Sequence, residues 1–139
     1  MTNNGGSPLA RFAPAMLAAF RVVIGLLFAQ HGTSKLLGWP DSPAVEPGSW
    51  PAFYAGIIEV VTGLLVAVGL FTVPAAVLAA GTMAVAYFWR HFPDGFWPIM
   101  NGGEGAVLFC FAFLLLAVTG PGAWAARGSR AALVGVSGR

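Results

Sequence analysis

Charged side chains are scarce in this chain. Of its 139 residues, seven are Lys or Arg and five are Asp or Glu, which together make up 9% of the sequence. Soluble domains carry about 25% charged residues, so these few would not cover the surface of a soluble fold. The hydrophobic fraction of 58% and the mean hydropathy of +0.79 instead predict an integral membrane protein.

Cysteine and clusters of basic residues are missing as well. Cys110 is the single cysteine and lies in an apolar run, so an internal disulfide is excluded. The formal net charge is only +2, and no run of Lys or Arg marks a nucleic-acid interface. The sequence also lacks a Cys-x-x-Cys pair, a phosphate-binding loop and a nucleotide fingerprint. No self-sufficient catalytic set remains, which leaves open whether the chain has an activity of its own.

Four apolar runs predict four transmembrane helices. At about 1.5 Å per residue, each run can cross all or most of a hydrocarbon core of about 30 Å. We therefore predict an all-α fold, an integral membrane four-helix bundle with up-down-up-down topology over residues 12–122. The expected spans cover residues 12–34, 52–70, 73–90 and 103–119, between a flexible N-terminal segment (1–11) and a cytoplasmic tail (123–139).

The basic residues set the expected orientation. Arg11 precedes the first span and three arginines follow the last one, whereas the two longer loops hold only Lys35 and Arg90. Because basic residues accumulate on the cytoplasmic side, both termini are expected in the cytoplasm. Loops 36–51 and 92–102 then share the outer face of a bacterial cytoplasmic membrane.

Two charged residues fall inside the predicted spans, Arg21 in the first and Glu59 in the second. An ionised group at the centre of a bilayer costs at least about 2.5–3.5 kcal/mol and needs a partner. We predict a structural ion pair between Arg21 and Glu59 that links the first two helices. The alternative is that Glu59 carries protons or binds a ligand, with Arg21 adjusting its charge.

The predicted topology gathers further polar residues at the outer face. His31 and Lys35 are four residues apart and share one side of the first helix. Glu104 begins the fourth helix, where the helix dipole favours a carboxylate. These groups suit a polar head group such as that of a quinone. The expected ligand-binding residues are His31, Lys35, Glu59, His91, Asn101 and Glu104.

Within this site, we expect His31 or His91 to contact Glu104, directly or through one water, and Phe96 and Trp97 to close the pocket. The alternative is that both histidines are interfacial residues bonded to loop carbonyls. No tight spacing such as His-x-x-x-His supports a metal site.

An ordered set of motifs runs through all four predicted spans: Arg21 with Gly25, His31-Gly32, Lys35-Leu36 with Gly38, Gly56 and Glu59 with Gly63, Gly69 with Thr72, His91 with Pro93, Gly95-Phe96 and Asn101-Gly102-Gly103-Glu104. This ordered set resembles the DoxX family of small four-helix membrane proteins. The resemblance covers about residues 12–122. It implies a four-span bundle in the bacterial cytoplasmic membrane and an association with redox chemistry. Members of that family include a subunit of a thiosulfate:quinone oxidoreductase and membrane partners of thiol and superoxide detoxification enzymes.

Residues and resemblance together lead to a redox-associated subunit as the main hypothesis. It binds quinone or a similar amphipathic molecule at the outer face, or anchors a soluble redox partner there. Nothing in the chain supplies cysteine chemistry for thiosulfate, so that activity is not carried over. One alternative is a purely structural or assembly subunit of a larger membrane complex, and another is a small proton-coupled transporter that uses Glu59. The expected partners are the lipid bilayer and either other subunits or further copies of the chain.

Overall fold

The computed structural model describes residues 7–126, and this part of the chain is α-helical with no strand. The all-α prediction is therefore confirmed. Residues 1–6 of the predicted flexible segment and residues 127–139 of the predicted tail lie outside the described residues. The five α-helices are α1 (Ala13–Leu37), α2 (Ala52–Val68), α3 (Thr72–Ala86), α4 (Pro98–Asn101) and α5 (Glu104–Thr119).

Within residues 7–126, two helical stretches are long and apolar enough to cross a membrane. They run over Ala10–Leu37 and Thr72–Asp94, with 28 and 23 residues. The second stretch includes a π turn at Tyr87–His91 and a 3-10 turn at Phe92–Asp94, both of which follow α3. Helices α2 and α5 are also apolar but have only 17 and 16 residues, which corresponds to about 24–26 Å of helical rise.

Glycines and prolines set the helix ends. α1 ends at Gly38 and α2 at Gly69, both in the left-handed conformation with φ of 68° and 76°, which glycine adopts without a steric penalty. Pro74 occupies the first turn of α3, where a missing N–H leaves no hydrogen bond unmade. Only three residues connect α2 to α3, so these two helices are antiparallel neighbours.

Helices α1 and α2 pack against each other at backbone distance. A Cβ atom added at Gly25 would lie 2.6 Å from the carbonyl oxygen of Gly63, and one added at Gly32 would lie 2.6 Å from the carbonyl oxygen of Gly56. Two pairs of glycines, spaced seven residues apart on each helix, therefore face each other in antiparallel order. Such contacts between small residues let helix backbones approach closely in lipid.

Aromatic side chains join α1 to α5. The fully buried Phe28 of α1 meets Phe113 edge to face, with ring centroids 4.6 Å apart, and lies 5.5 Å from Phe109. Helix α3 packs against α5 through small side chains. The buried alanines of α3 are Ala75, Ala76, Ala79 and Ala80.

Large apolar side chains are exposed along α1, α2, α3 and α5. So many exposed apolar side chains are unusual for a small protein in water. Contiguous exposed apolar surface of this kind marks an interface or a lipid-facing surface. This exposure agrees with the low charge content of the sequence. The set includes Val23, Leu26, Val61, Leu64, Val77, Leu78, Val85, Leu108, Phe111 and Leu115.

We expect Gly25→Ala to lower the unfolding temperature of the purified protein in detergent, because the new methyl group would overlap the α2 backbone. Gly81→Ala on α3 is the matched control, since no atom lies within 4 Å of the added carbon and alanine favours a helix by up to about 1 kcal/mol over glycine. Thermal unfolding followed by circular dichroism measures both variants. Equal unfolding temperatures for the two variants would show that the close α1–α2 contact does not stabilise the fold.

Candidate functional site

The main polar feature of the helix pair is an ion pair between α1 and α2. Lys35 Nζ donates a hydrogen bond to Glu59 Oε1 at 2.5 Å. The Glu59 side chain is only 1% exposed, whereas that of Lys35 is 33% exposed. Lys35 lies near the C-terminal end of α1. Because its side chain is partly exposed, its ammonium group links the buried carboxylate to the surface of the protein.

The second carboxylate oxygen of Glu59 receives no hydrogen bond. Oε2 is buried, and no donor in the described part of the chain reaches it. The hydroxyl of Thr62, less than one turn along α2, donates to the carbonyl oxygen of Ile58 instead. An ionised carboxylate accepts hydrogen bonds at both oxygens, so the ion pair satisfies only part of what Glu59 requires.

His31 stands next to this pair on α1. It is exposed, lies one turn before Lys35, and packs edge to face on Phe109 with centroids 5.4 Å apart. His31, Lys35 and Glu59, half of the expected ligand-binding set, are therefore brought together at one end of the α1–α2 pair.

The predicted ion pair between Arg21 and Glu59 is wrong, and the packing of α1 on α2 gives the reason. Gly25 faces Gly63, so residues that precede Gly25 on α1 face residues that follow Gly63 on α2. Accordingly, a Cβ at Gly69 would meet Arg21 Nη1. Ten residues separate Gly69 from Glu59, which is about 15 Å along the helix.

Arg21 instead binds backbone carbonyls near the end of the described chain. Its Nη1 donates to the Pro121 carbonyl at 2.9 Å and its Nη2 to the Trp124 carbonyl at 3.4 Å. The side chain is 2% exposed, and its Nε–H has no acceptor within residues 7–126. The N–H of Ala126 also donates to the Val68 carbonyl. Residues 120–126 are thus held across one end of α1 and α2.

His91 and Asn101 form a separate structural cluster after α3. His91 Nδ1 lies 3.1 Å from the Asn101 carbonyl oxygen, and its ring stacks on Tyr87. The Asn101 amide donates to the Gly95 carbonyl at 2.7 Å, and its oxygen accepts from the Gly103 N–H at 2.8 Å. Because Asn101 is buried with both ends of its amide bonded, it fixes the loop between α3 and α5 and has little capacity left for a ligand.

The expected contact of Glu104 with a histidine does not form directly. Glu104 is exposed at the start of α5, and within residues 7–126 it makes no hydrogen bond or ion pair with His31 or His91. Phe96 and Trp97 are also exposed, with rings packed edge to face on each other. The six expected residues therefore separate into the His31–Lys35–Glu59 group, the His91–Asn101 loop cluster, and Glu104.

Sequence reasoning missed the partner of Glu59 although the sequence holds the signal for it. Consecutive spans are antiparallel, and the equal glycine spacing, Gly25 to Gly32 and Gly56 to Gly63, then fits a register in which Gly25 faces Gly63 and Gly32 faces Gly56. That order places Glu59 near the end of α1, where Lys35 is the long cationic side chain. Side-chain charge alone cannot choose between Arg21 and Lys35, whereas the helix register can.

Comparisons with known proteins identify one family model and several relatives. A protein-family model described as DoxX matches residues 16–92. A Haemophilus influenzae protein described as uncharacterized is 39% identical over 123 residues, which are 84% of this chain and 92% of that protein. The Escherichia coli inner membrane protein YphA is 32% identical over 121 residues, 79% of this chain and 86% of its own. An uncharacterized membrane protein of Mycobacterium tuberculosis is 28% identical over 131 residues, 80% of this chain and 78% of its own. No solved structure matches the chain significantly.

We expect Lys35→Met to destabilise the protein, because it leaves the Glu59 carboxylate buried without its counter-charge, at a cost of about 3–5 kcal/mol. The double variant Lys35→Met/Glu59→Leu is expected to recover most of this loss. Chemical unfolding in mixed detergent measures both variants.

The exposed Arg90–Asp94 pair, 3.2 Å between charged atoms, is the control. Arg90→Met is expected to change stability by less than about 1 kcal/mol, as for other surface pairs. A double variant no more stable than Lys35→Met alone would contradict the assignment of Lys35 and Glu59 as partners.

Proposed function

Because this chain belongs to the DoxX family of membrane proteins, we propose that it is a redox-associated membrane subunit that binds a quinone or a similar amphipathic molecule. The proposed binding site is the group of His31, Lys35 and Glu59. The observation that carries the proposal is the buried carboxylate whose cationic partner is one-third exposed, because this places hydrogen-bonding groups at the edge of an apolar surface.

The chemistry of the three side chains suits the head group of such a molecule. Lys35 donates hydrogen bonds, and His31 can donate or accept according to its protonation. A quinone carbonyl accepts from either group. The apolar tail would lie against the exposed aliphatic side chains of α1 and α2, such as Leu27 and Ile57. Small-molecule sites typically combine a few polar groups with mostly apolar surroundings.

The arrangement in the membrane is part of the same proposal. The stretches Ala10–Leu37 and Thr72–Asp94 are long enough to span, and α2 and α5 complete four spans if their flanking residues lie in the interface. Both termini are then cytoplasmic, and the end of α1 that carries Lys35 is at the outer face of a bacterial cytoplasmic membrane. Arg127, Arg130 and Arg139, on which this orientation partly depends, lie outside the described residues.

We expect the purified protein to bind decylubiquinone and the double variant Lys35→Met/Glu59→Leu to bind it at least about tenfold more weakly, because one charge-assisted hydrogen bond is worth about 1.5–3 kcal/mol. Titration in detergent micelles measures both affinities, and quinone in organic extracts of the wild-type protein is an independent readout. The double variant replaces the ion pair by apolar side chains, so it removes the site and leaves no buried charge unpaired.

The matched control removes a second ion pair, which follows α3 and is exposed. Arg90→Met/Asp94→Leu breaks the exposed pair and is expected to bind as the wild type does. If the protein binds no quinone, or if both double variants bind it equally well, the proposed site is refuted. A structural or assembly subunit that co-purifies in fixed ratio with a larger membrane complex is then the better account.

The proposed orientation makes its own prediction. In a Cys110→Ala background, cysteines introduced at the exposed residues Glu46 and Asp94 are expected to react with an impermeant thiol reagent added to whole spheroplasts. A cysteine at the exposed Ser7 is expected to react only after the membrane is opened. If Ser7→Cys is labelled in intact spheroplasts and the cysteines at residues 46 and 94 are not, the orientation is the opposite of the one proposed.

A further inference from the structure

If the proposed function holds, the unsatisfied oxygen of Glu59 determines whether the site prefers the oxidised or the reduced form of the ligand. Glu59 Oε2 is buried, and no donor of residues 7–126 reaches it. Buried polar atoms almost always have a hydrogen-bond partner, and leaving one without a partner is costly. An ionised carboxylate can only accept, so Oε2 requires a donor.

The side chains around Glu59 do not supply this donor. The Lys35 ammonium is directed at the other oxygen, Oε1, at 2.5 Å. The Thr62 hydroxyl donates to the Ile58 carbonyl at 2.6 Å, and the glycines of the α1–α2 contact have no side chains. Backbone N–H groups of α2 are used within the helix. A hydroxyl of a molecule that enters beside Lys35 would supply this donor.

The two redox forms of a quinone differ in this property. The oxidised dione carries carbonyl oxygens, which only accept hydrogen bonds. The reduced quinol carries hydroxyl groups, each of which donates one hydrogen bond and also accepts. Lys35 and a protonated His31 can bind an oxygen of either form, whereas Oε2 of Glu59 can bind only the hydroxyl.

We propose that Glu59 is the specificity-determining residue of the site and that its free oxygen accepts a hydrogen bond from a hydroxyl of the reduced ligand. The site consequently binds the quinol form of an aromatic, tailed ligand more tightly than the dione. Preference for the reduced form also raises the midpoint potential of the bound pair relative to the free pair, since a ligand shifts an equilibrium by its differential affinity.

The test compares decylubiquinol with decylubiquinone on the intact wild-type protein in detergent, under anaerobic conditions that keep the quinol reduced. We expect the quinol to bind at least about tenfold more tightly, the difference that one hydrogen bond to a charged group makes. Equal affinities, or tighter binding of the dione, overturn the inference and leave the proposed function standing. Binding of neither form refutes both.

A variant then assigns the preference to Glu59. Glu59→Gln replaces the free oxygen with a carboxamide that has both a donor and an acceptor, so the preference for quinol is expected to fall to about twofold or less while both forms still bind. Lys35→Met/Glu59→Gln, which leaves no unpaired charge, serves if the single variant does not fold. Glu46→Gln, at an exposed loop glutamate, is the matched control and is expected to keep the full ratio. If the ratio of quinol affinity to quinone affinity is unchanged in the Glu59 variants, Glu59 is not part of the binding site.

Discussion

The contact between the backbones of α1 and α2 determines where every buried charge of the helix pair lies. Gly25 and Gly32 on one helix face Gly63 and Gly56 on the other, at distances that admit no Cβ atom. A shift of the helices by one residue would bring larger side chains into these positions, so the glycines allow one register. In lipid, where burial of apolar surface adds little to helix association, close packing of this kind holds helices together.

That register assigns different partners to the two buried charges. Arg21 lies opposite the end of α2, where it donates to the carbonyls of Pro121 and Trp124 in the segment that follows α5. Glu59 lies near the end of α1, where Lys35 reaches it. Each charge is therefore compensated close to its own end of the pair, and neither needs a partner in the apolar middle, where charge is most costly.

The sequence predicts the helices well because their signals are local. The predicted spans 12–34, 52–70, 73–90 and 103–119 end within a few residues of α1, α2, α3 and α5 in the structure. The site depends on pairings between helices, which local composition does not encode. Arg21 looked like the partner of Glu59 because both are charged and intramembrane. Asn101 looked like a ligand residue or a helix cap, whereas its amide is used to bind Gly95 and Gly103 across the loop.

Four buried side-chain atoms of residues 7–126 lack a hydrogen-bond partner: Arg21 Nε, Glu59 Oε2 and the hydroxyl oxygens of Ser49 and Thr72. Of these residues only Arg21 and Glu59 carry a charge, and accessibility distinguishes the roles of these two. Arg21 leaves Nε without an acceptor and Glu59 leaves Oε2 without a donor among the described residues. Residues 121–124 cover the Arg21 guanidinium with their own carbonyls, so a ligand would have to displace the chain. Glu59 instead has a neighbour, Lys35, that is one-third exposed. A polar head group that binds the lysine comes within one side chain of Glu59, which is why we assign the free oxygen of Glu59, and not the free N–H of Arg21, to a ligand.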